Sequence, residues 1–304
     1  MGDILRQDDI KQITRTCQLK SHTINQNLIT STIADNKKMF PQGILTCTSP
    51  PSYAGKRRKK ILIKNQGGYN MSTLLEKIME DIDSGKIKKL DLEDSFCFEC
   101  QRCNKCCRNT DVLLTPYDIA RLRTRLTIGT YRFLKRYGFE YFGPDSGLPL
   151  VMLNRGTDGS CPFLTKSGCS VYEDRPGSCR NYPLIRRIES ETNKVEYFLQ
   201  QPPAYCNGHQ TNHYQTVRKW IKVSKLEEYH QYNDWFMRML FRLGDVRKKF
   251  SWEMLVIIGE YFYNFDLMAL NFAKQNGLAQ PKTDQEKFKL IEKAIEEFTE
   301  DEKK

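Results

Sequence analysis

Five cysteines fall within eleven positions, Cys97, Cys100, Cys103, Cys106 and Cys107, and four more follow at Cys161, Cys169, Cys179 and Cys206. Thiols two residues apart can turn toward a common centre from one tight loop, which is why this spacing recurs in zinc and iron–sulfur sites. Eight of these residues read as metal ligands: Cys100, Cys103, Cys106 and Cys107 in the string CQRCNKCC, then Cys161, Cys169, Cys179 and Cys206. Taken literally, Cys97-x2-Cys100-x2-Cys103-x3-Cys107 has the ferredoxin spacing, but Arg108 stands where that run carries proline and no second copy exists. Two four-thiolate zinc sites would use the same eight residues, so zinc and iron, including an iron–sulfur cluster, both stay open. Neighbouring side chains are expected to diverge, so Cys106 and Cys107 point to two metals or a bridged cluster rather than one ion.

An oxidised scaffold is the competing reading. The count of 11 cysteines is odd, and the N-terminus MGDILRQDDIKQ is charged where a secretory signal needs an apolar core. A cytoplasmic location is therefore expected, where thiols stay reduced and clustered cysteines indicate metal binding. Cations interleave the thiols: Arg102, Lys105 and Arg108 in the first set, Arg175 and Arg180 beside Cys179. Nearby cations offset thiolate charge and supply hydrogen bonds to the sulfurs; ordinary surface charge is the alternative for Arg175 and Arg180. His209 and His213 follow Cys206 at ligand-like spacings, yet the thiols suffice and the polar neighbours Asn207, Gln210 and Asn212 suit a solvated loop.

The elements that must hold these residues are short. Thr73 with Glu76 makes a capping box for a helix closed by Gly85. Thr115-Pro116-Tyr117-Asp118 opens a helix with the apolar stripe Ile119, Leu122 and Leu126. A second helix is expected over 130–137, stopping at Gly138, then a strand over 148–153 and a hairpin of 184–188 with 195–200. From Lys225 the pattern turns to long helices: 226–243, then 252–274, then one opened by the capping box Thr283–Glu286. The stripe Tyr229, Tyr232, Trp235 and Phe236 reads as core, with a partner-docking face as the alternative. No apolar run approaches the eighteen residues a membrane span needs.

The first 70 residues differ in character. They hold 12 Lys or Arg against 4 Asp or Glu, leaving 36 against 33 in the remainder. Gln66-Gly67-Gly68 can be encoded by a ribosome-binding sequence ahead of Met71, so residues 1–70 are expected to be a mis-called or disordered extension. On that reading the basic run Lys56–Lys60 predicts no nucleic-acid partner, and Cys17 and Cys47 are not ligands. The expected organisation is this extension, a cysteine-cluster domain over 71–223 and a helical region over 224–304. The fold class is α+β: a small cysteine-rich metal-binding core of short strands and helices, followed by C-terminal helices.

At Cys100–Cys107, Cys161-Pro162-Phe163-Leu164, Cys169-Ser170-Val171-Tyr172 and Arg175-Pro176-Gly177-Ser178-Cys179-Arg180, the chain resembles the YkgJ-type cysteine-cluster family. Thr115–Ile119 fits the helix start after that family's CC pair, and Cys206 with Gly208 fits its late cysteine. Cys97 lies outside the family block, and charged residues replace the glycine common before the CC pair. The resemblance implies zinc or iron chelation in a cytosolic bacterial protein. Flagellin lysine N-methylases resemble the same cysteine pattern, which raises protein lysine methyl transfer as an alternative, although no glycine-rich loop for S-adenosylmethionine is evident. A metallochaperone or partner-binding module, docking through the C-terminal helices, is the third reading. No serine–histidine–acid set, phosphate loop or carboxylate pair identifies a reaction.

Overall fold

Ten helices and ten short strands follow one another over residues 71–143 and 147–301, the part of the chain that the computed structural model describes; Met71–Glu76 and Asp301 are described in backbone only. The N-terminal extension, with Cys17, Cys47 and the basic run, lies outside the described residues, as do the side chains of the Thr73–Glu76 box. The fold is α+β. Every sheet is small and antiparallel, as two- to five-residue strands joined by tight turns require.

Helix α1 (Met71–Asp83) ends at Gly85, whose φ of 72° is a left-handed turn that glycine adopts without a Cβ clash. Strands β1 (Lys89–Leu90), β9 (Val195–Leu199) and β8 (Leu184–Ile188) form one sheet; β8 and β9 are the hairpin expected from sequence. Strand β2 (Ser95–Cys97) pairs with β10 (Tyr214–Thr216), so the chain just before the first cysteine set is bonded to the chain just after the last. Strands β3 (Leu113–Leu114), β5 (Pro149–Leu153) and β4 (Gly138–Phe142) form the third sheet, and β6 (Leu164–Thr165) with β7 (Gly168–Cys169) the fourth.

Helix α2 (Cys106–Asn109) is one turn. Helix α3 (Pro116–Leu126) begins with a full capping box between Thr115 and Asp118, and α4 (Thr130–Tyr137) stops at Gly138. Helices α5 (Gly177–Asn181) and α6 (Val217–Val223) flank the last cysteines. The C-terminal helices are α7 (Glu227–Val246), α8 (Trp252–Tyr263), α9 (Phe265–Gln275) and α10 (Asp284–Asp301). The single helix expected over 252–274 is two. Buried Asn264 breaks it: its amide donates to Glu260 and its carbonyl oxygen accepts from Thr130, while Asp266 accepts from the Thr130 amide. A short polar side chain that bonds locally offers the backbone an alternative to helix, and here it docks the start of α4.

The aromatic stripe of α7 is spent inside the chain. Tyr229, Trp235 and Phe236 are buried, Tyr232 stacks on Tyr117 of α3 at 4.4 Å, and Trp235 and Tyr232 both meet Phe288 of α10. Arg186 of β8 grips Asp234 of α7 with both terminal nitrogens, at 2.5 and 2.9 Å, tying the cysteine-bearing half to the helices. The bidentate geometry suits a guanidinium whose side chain is almost wholly buried.

Candidate metal centre

The loop that carries the first cysteine set is bent by two non-glycine residues in left-handed conformation, Arg102 (φ 48°) and Asn104 (φ 57°), one on each side of Cys103. Asparagine tolerates that region; arginine does so at a cost, and such strain persists only where surroundings enforce it. Here they do. The Arg102 guanidinium lies over the Tyr172 ring at 4.4 Å, and Arg175 covers a ring contact of the same residue at 4.1 Å. One tyrosine thus joins the first cysteine loop to the segment running from Cys169 to Cys179. On the far side, Lys105 donates to Asn207, next to Cys206.

Each later cysteine is brought in by a distinct bond. The Cys161 amide donates to the Cys107 carbonyl at 2.7 Å. Cys169 closes the β6–β7 hairpin opposite Leu164, and Gly168, at φ 108°, sits beside the Asn104 side chain. Cys179 lies in α5, whose first amide, Gly177, donates to Asp118 at 2.7 Å. The same buried carboxylate accepts from the Thr115 amide and hydroxyl, so α3 and α5 share one anchor. A Cβ on Gly177 would make ordinary contact with Tyr229 at 3.4 Å and Asp118 at 3.5 Å.

Cys161 is tied to Cys107 through the backbone, and the charges of Cys161 and Cys169 add to the rise at both Cys107 and Cys179. Cys106 and Cys107 are consecutive residues in the single turn of α2. Their mutual interaction lowers Cys106 to about 6 and raises Cys107 above the usual thiol range. Burial raises Cys161, Cys169 and Cys179, and neighbouring sulfurs add to the rise. Cys179 is exposed to solvent. Sulfurs that resist ionising together are relieved by a cation among them, and metal loading would release their protons.

Cys100 and Cys103 sit on the exposed loop, and Cys206 is half-buried on the opposite flank. Among the described residues no three His, Cys, Asp or Glu side chains converge as a ready-made ion site. The chemistry of the donor set, soft thiols with no buried carboxylate ligand among them, fits zinc or iron. Cys97 stands apart: its thiol donates to the carbonyl of Thr211, which lies before β10. His209 is half-buried; its Nε2 is 2.9 Å from the Tyr182 hydroxyl, and burial lowers its pKa. His213 is exposed, and its carbonyl accepts from Phe98.

Arg180 is not surface charge. It is 3% exposed, donates to the carbonyls of Ser224, Arg175 and Glu173, and lies over the Tyr229 ring. Gly208 meets a stricter limit: a Cβ there would lie 2.4 Å from Phe98 and 2.9 Å from the Glu99 carbonyl oxygen, which explains a glycine two residues after Cys206. Asp118 was legible only as the acid at the start of its helix, Tyr172 and Gly208 stood inside the motif blocks quoted from sequence without a role assigned to them, and Tyr182 carried no signal beyond its place after α5.

Residues 99–207 match the CxxCxxCC family model, described as "Putative zinc- or iron-chelating domain". The matched span contains all eight cysteines read as ligands. No curated protein and no solved structure matches the chain. Among the described residues no helix is long and apolar enough to cross a membrane.

Proposed function

We propose that this chain chelates zinc or iron, the latter as ion or iron–sulfur cluster, through Cys100, Cys103, Cys106, Cys107, Cys161, Cys169, Cys179 and Cys206, in a structural or redox role in a reducing compartment such as the cytoplasm. What supports the reading is that bonds outside the thiols draw the cysteine segments together: Cys161 to Cys107 through the backbone, Gly168 beside Asn104, Lys105 to Asn207, and Gly177 to Asp118. A bound metal would supply the positive charge that lets these sulfurs ionise together, and redox capacity if it is iron. The protein's own contribution is to pre-bend the first loop, seat the CC pair on a helical turn and hold Cys179 on Asp118.

The test is metal analysis of the full chain beside a C106S/C107S variant. The reading expects stoichiometric zinc or iron in the parent chain and a large loss in the variant. Equal metal content in both would remove it.

A further inference from the structure

Between Ile119 and Phe139 the chain carries six Lys or Arg and no Asp or Glu. The stretch takes in most of α3, the turn over 127–129 and all of α4. Two of its arginines are spent inside the chain: Arg121 pairs with Asp174, and Arg123 with Asp266 and Asp284. Arg125, Arg132 and Arg136 are exposed, and none of them meets a carboxylate among the described residues; Arg136 only lies over the Tyr137 ring at 5.3 Å. Elsewhere Arg187 holds Asp83 and Glu196, Arg218 holds Glu93 and Arg242 holds Glu296. Three unpaired arginines on one helical hairpin are a different arrangement.

The hairpin also opens a cleft of about 610 Å³, lined by Arg123, Thr124, Thr127, Tyr131 and Arg132 among others. It thus holds one paired and one unpaired arginine. Arg136 follows Arg132 by about one helical turn, roughly 6 Å along α4, and Arg125 lies two residues before Thr127. Carboxylates are what this turn already binds from within the chain. Asp266 and Asp284 sit on Arg123, and Asp266 accepts from the Thr130 amide at 3.1 Å. Tyr131 is the one ring lining the cleft, and it is half-buried with the Lys135 ammonium 5.9 Å from its centroid. The cleft therefore lacks the open aromatic platform on which a nucleobase stacks.

We propose that the α3–α4 hairpin docks an acidic protein segment, whose carboxylates pair with Arg125, Arg132 and Arg136. A guanidinium offers parallel N–H donors that match a carboxylate, and clustered unpaired charge steers an oppositely charged partner to its surface. Helix α3 links this surface to the cysteine segments: Asp118 in its first turn holds Gly177, and Arg121 holds Asp174. The surface uses no cysteine, so it stands or falls apart from the chelation reading.

The experiment titrates a fluorescein-labelled oligoglutamate peptide into the full chain, at low and at physiological salt, and reads anisotropy. The parent should bind it, and more weakly as salt rises. Arg125→Gln/Arg132→Gln/Arg136→Gln should weaken binding by about 10- to 30-fold. Lys194→Gln/Lys219→Gln/Lys222→Gln removes the same charge from exposed positions on other elements and should stay within about twofold of the parent. Bound peptide should also slow amide hydrogen exchange over residues 127–136 of the parent. Equal binding by the two triple variants, or protection confined to other residues, would overturn the proposal, as would a parent chain that does not bind the peptide. Tighter binding of an oligothymidylate of equal charge through the same arginines would overturn it too, and would give the surface to nucleic acid.

Discussion

Tyr172 offers a direct way to ask whether the cysteine loop is held in place before metal arrives. Its ring meets Arg102 at 4.4 Å and Arg175 at 4.1 Å. Cation–π contacts near the surface are worth about 0.5–1 kcal/mol each, so Tyr172→Ala should cost about 1–2 kcal/mol of loop ordering. The Arg175 bond to the Tyr172 carbonyl survives that change, because it is made to the backbone. If the ordering is lost before binding, metal affinity should fall by about 5- to 30-fold. Zinc competition against a chromophoric chelator would measure it. Tyr172→Phe keeps both ring contacts and should stay within about twofold of the parent. The reasoning is refuted if Tyr172→Ala binds as tightly as the parent, or if Tyr172→Phe loses as much as the alanine variant.

Three further outcomes follow from the same geometry. Asp118→Asn leaves the amides of Thr115 and Gly177 facing one acceptor oxygen fewer, at about 1–3 kcal/mol; thermal melting should show a drop of several degrees. Gly208→Ala drives a methyl into Phe98 and should destabilise by about 1–3 kcal/mol, with Cys206 alkylated faster than in the parent by mass spectrometry. Burial holds His230 neutral, lowering its pKa to about 3, so the unfolded chain binds the proton first. Stability should therefore fall as pH drops below about 6.5 toward about 3, by up to ~1.4 kcal/mol per pH unit, and urea titrations of His230→Gln should show a flatter profile.

The helices around the site were legible because their signals are local. Thr115 and Asp118 sit three residues apart and cap one another, Gly85 ends its helix in the left-handed conformation, and α4 stops at Gly138. The cysteine spacing likewise announced a thiol-rich centre. What stayed hidden depends on distant pairings. Nothing near Ser95–Cys97 foretells its partner Tyr214–Thr216, because two three-residue strands carry no usable periodicity. The break at Asn264 is anchored by Thr130, far away in the chain, so an amphipathic pattern interrupted only by Glu253, Glu260 and Asn264 read as one helix. The same holds in the site: Arg102 finds Tyr172, Gly177 finds Asp118, and Tyr182 finds His209 only once the chain has folded. Spacing named the ligand candidates, while tertiary contacts name the residues that hold them.

The most direct test of the central claim is metal content with an absorption spectrum on the full chain purified without oxygen. The account predicts stoichiometric metal: colourless zinc, or iron with a broad visible band and acid-labile sulfide if a cluster is present. Folded protein, carrying its thiols reduced and binding neither metal on reconstitution, would contradict it.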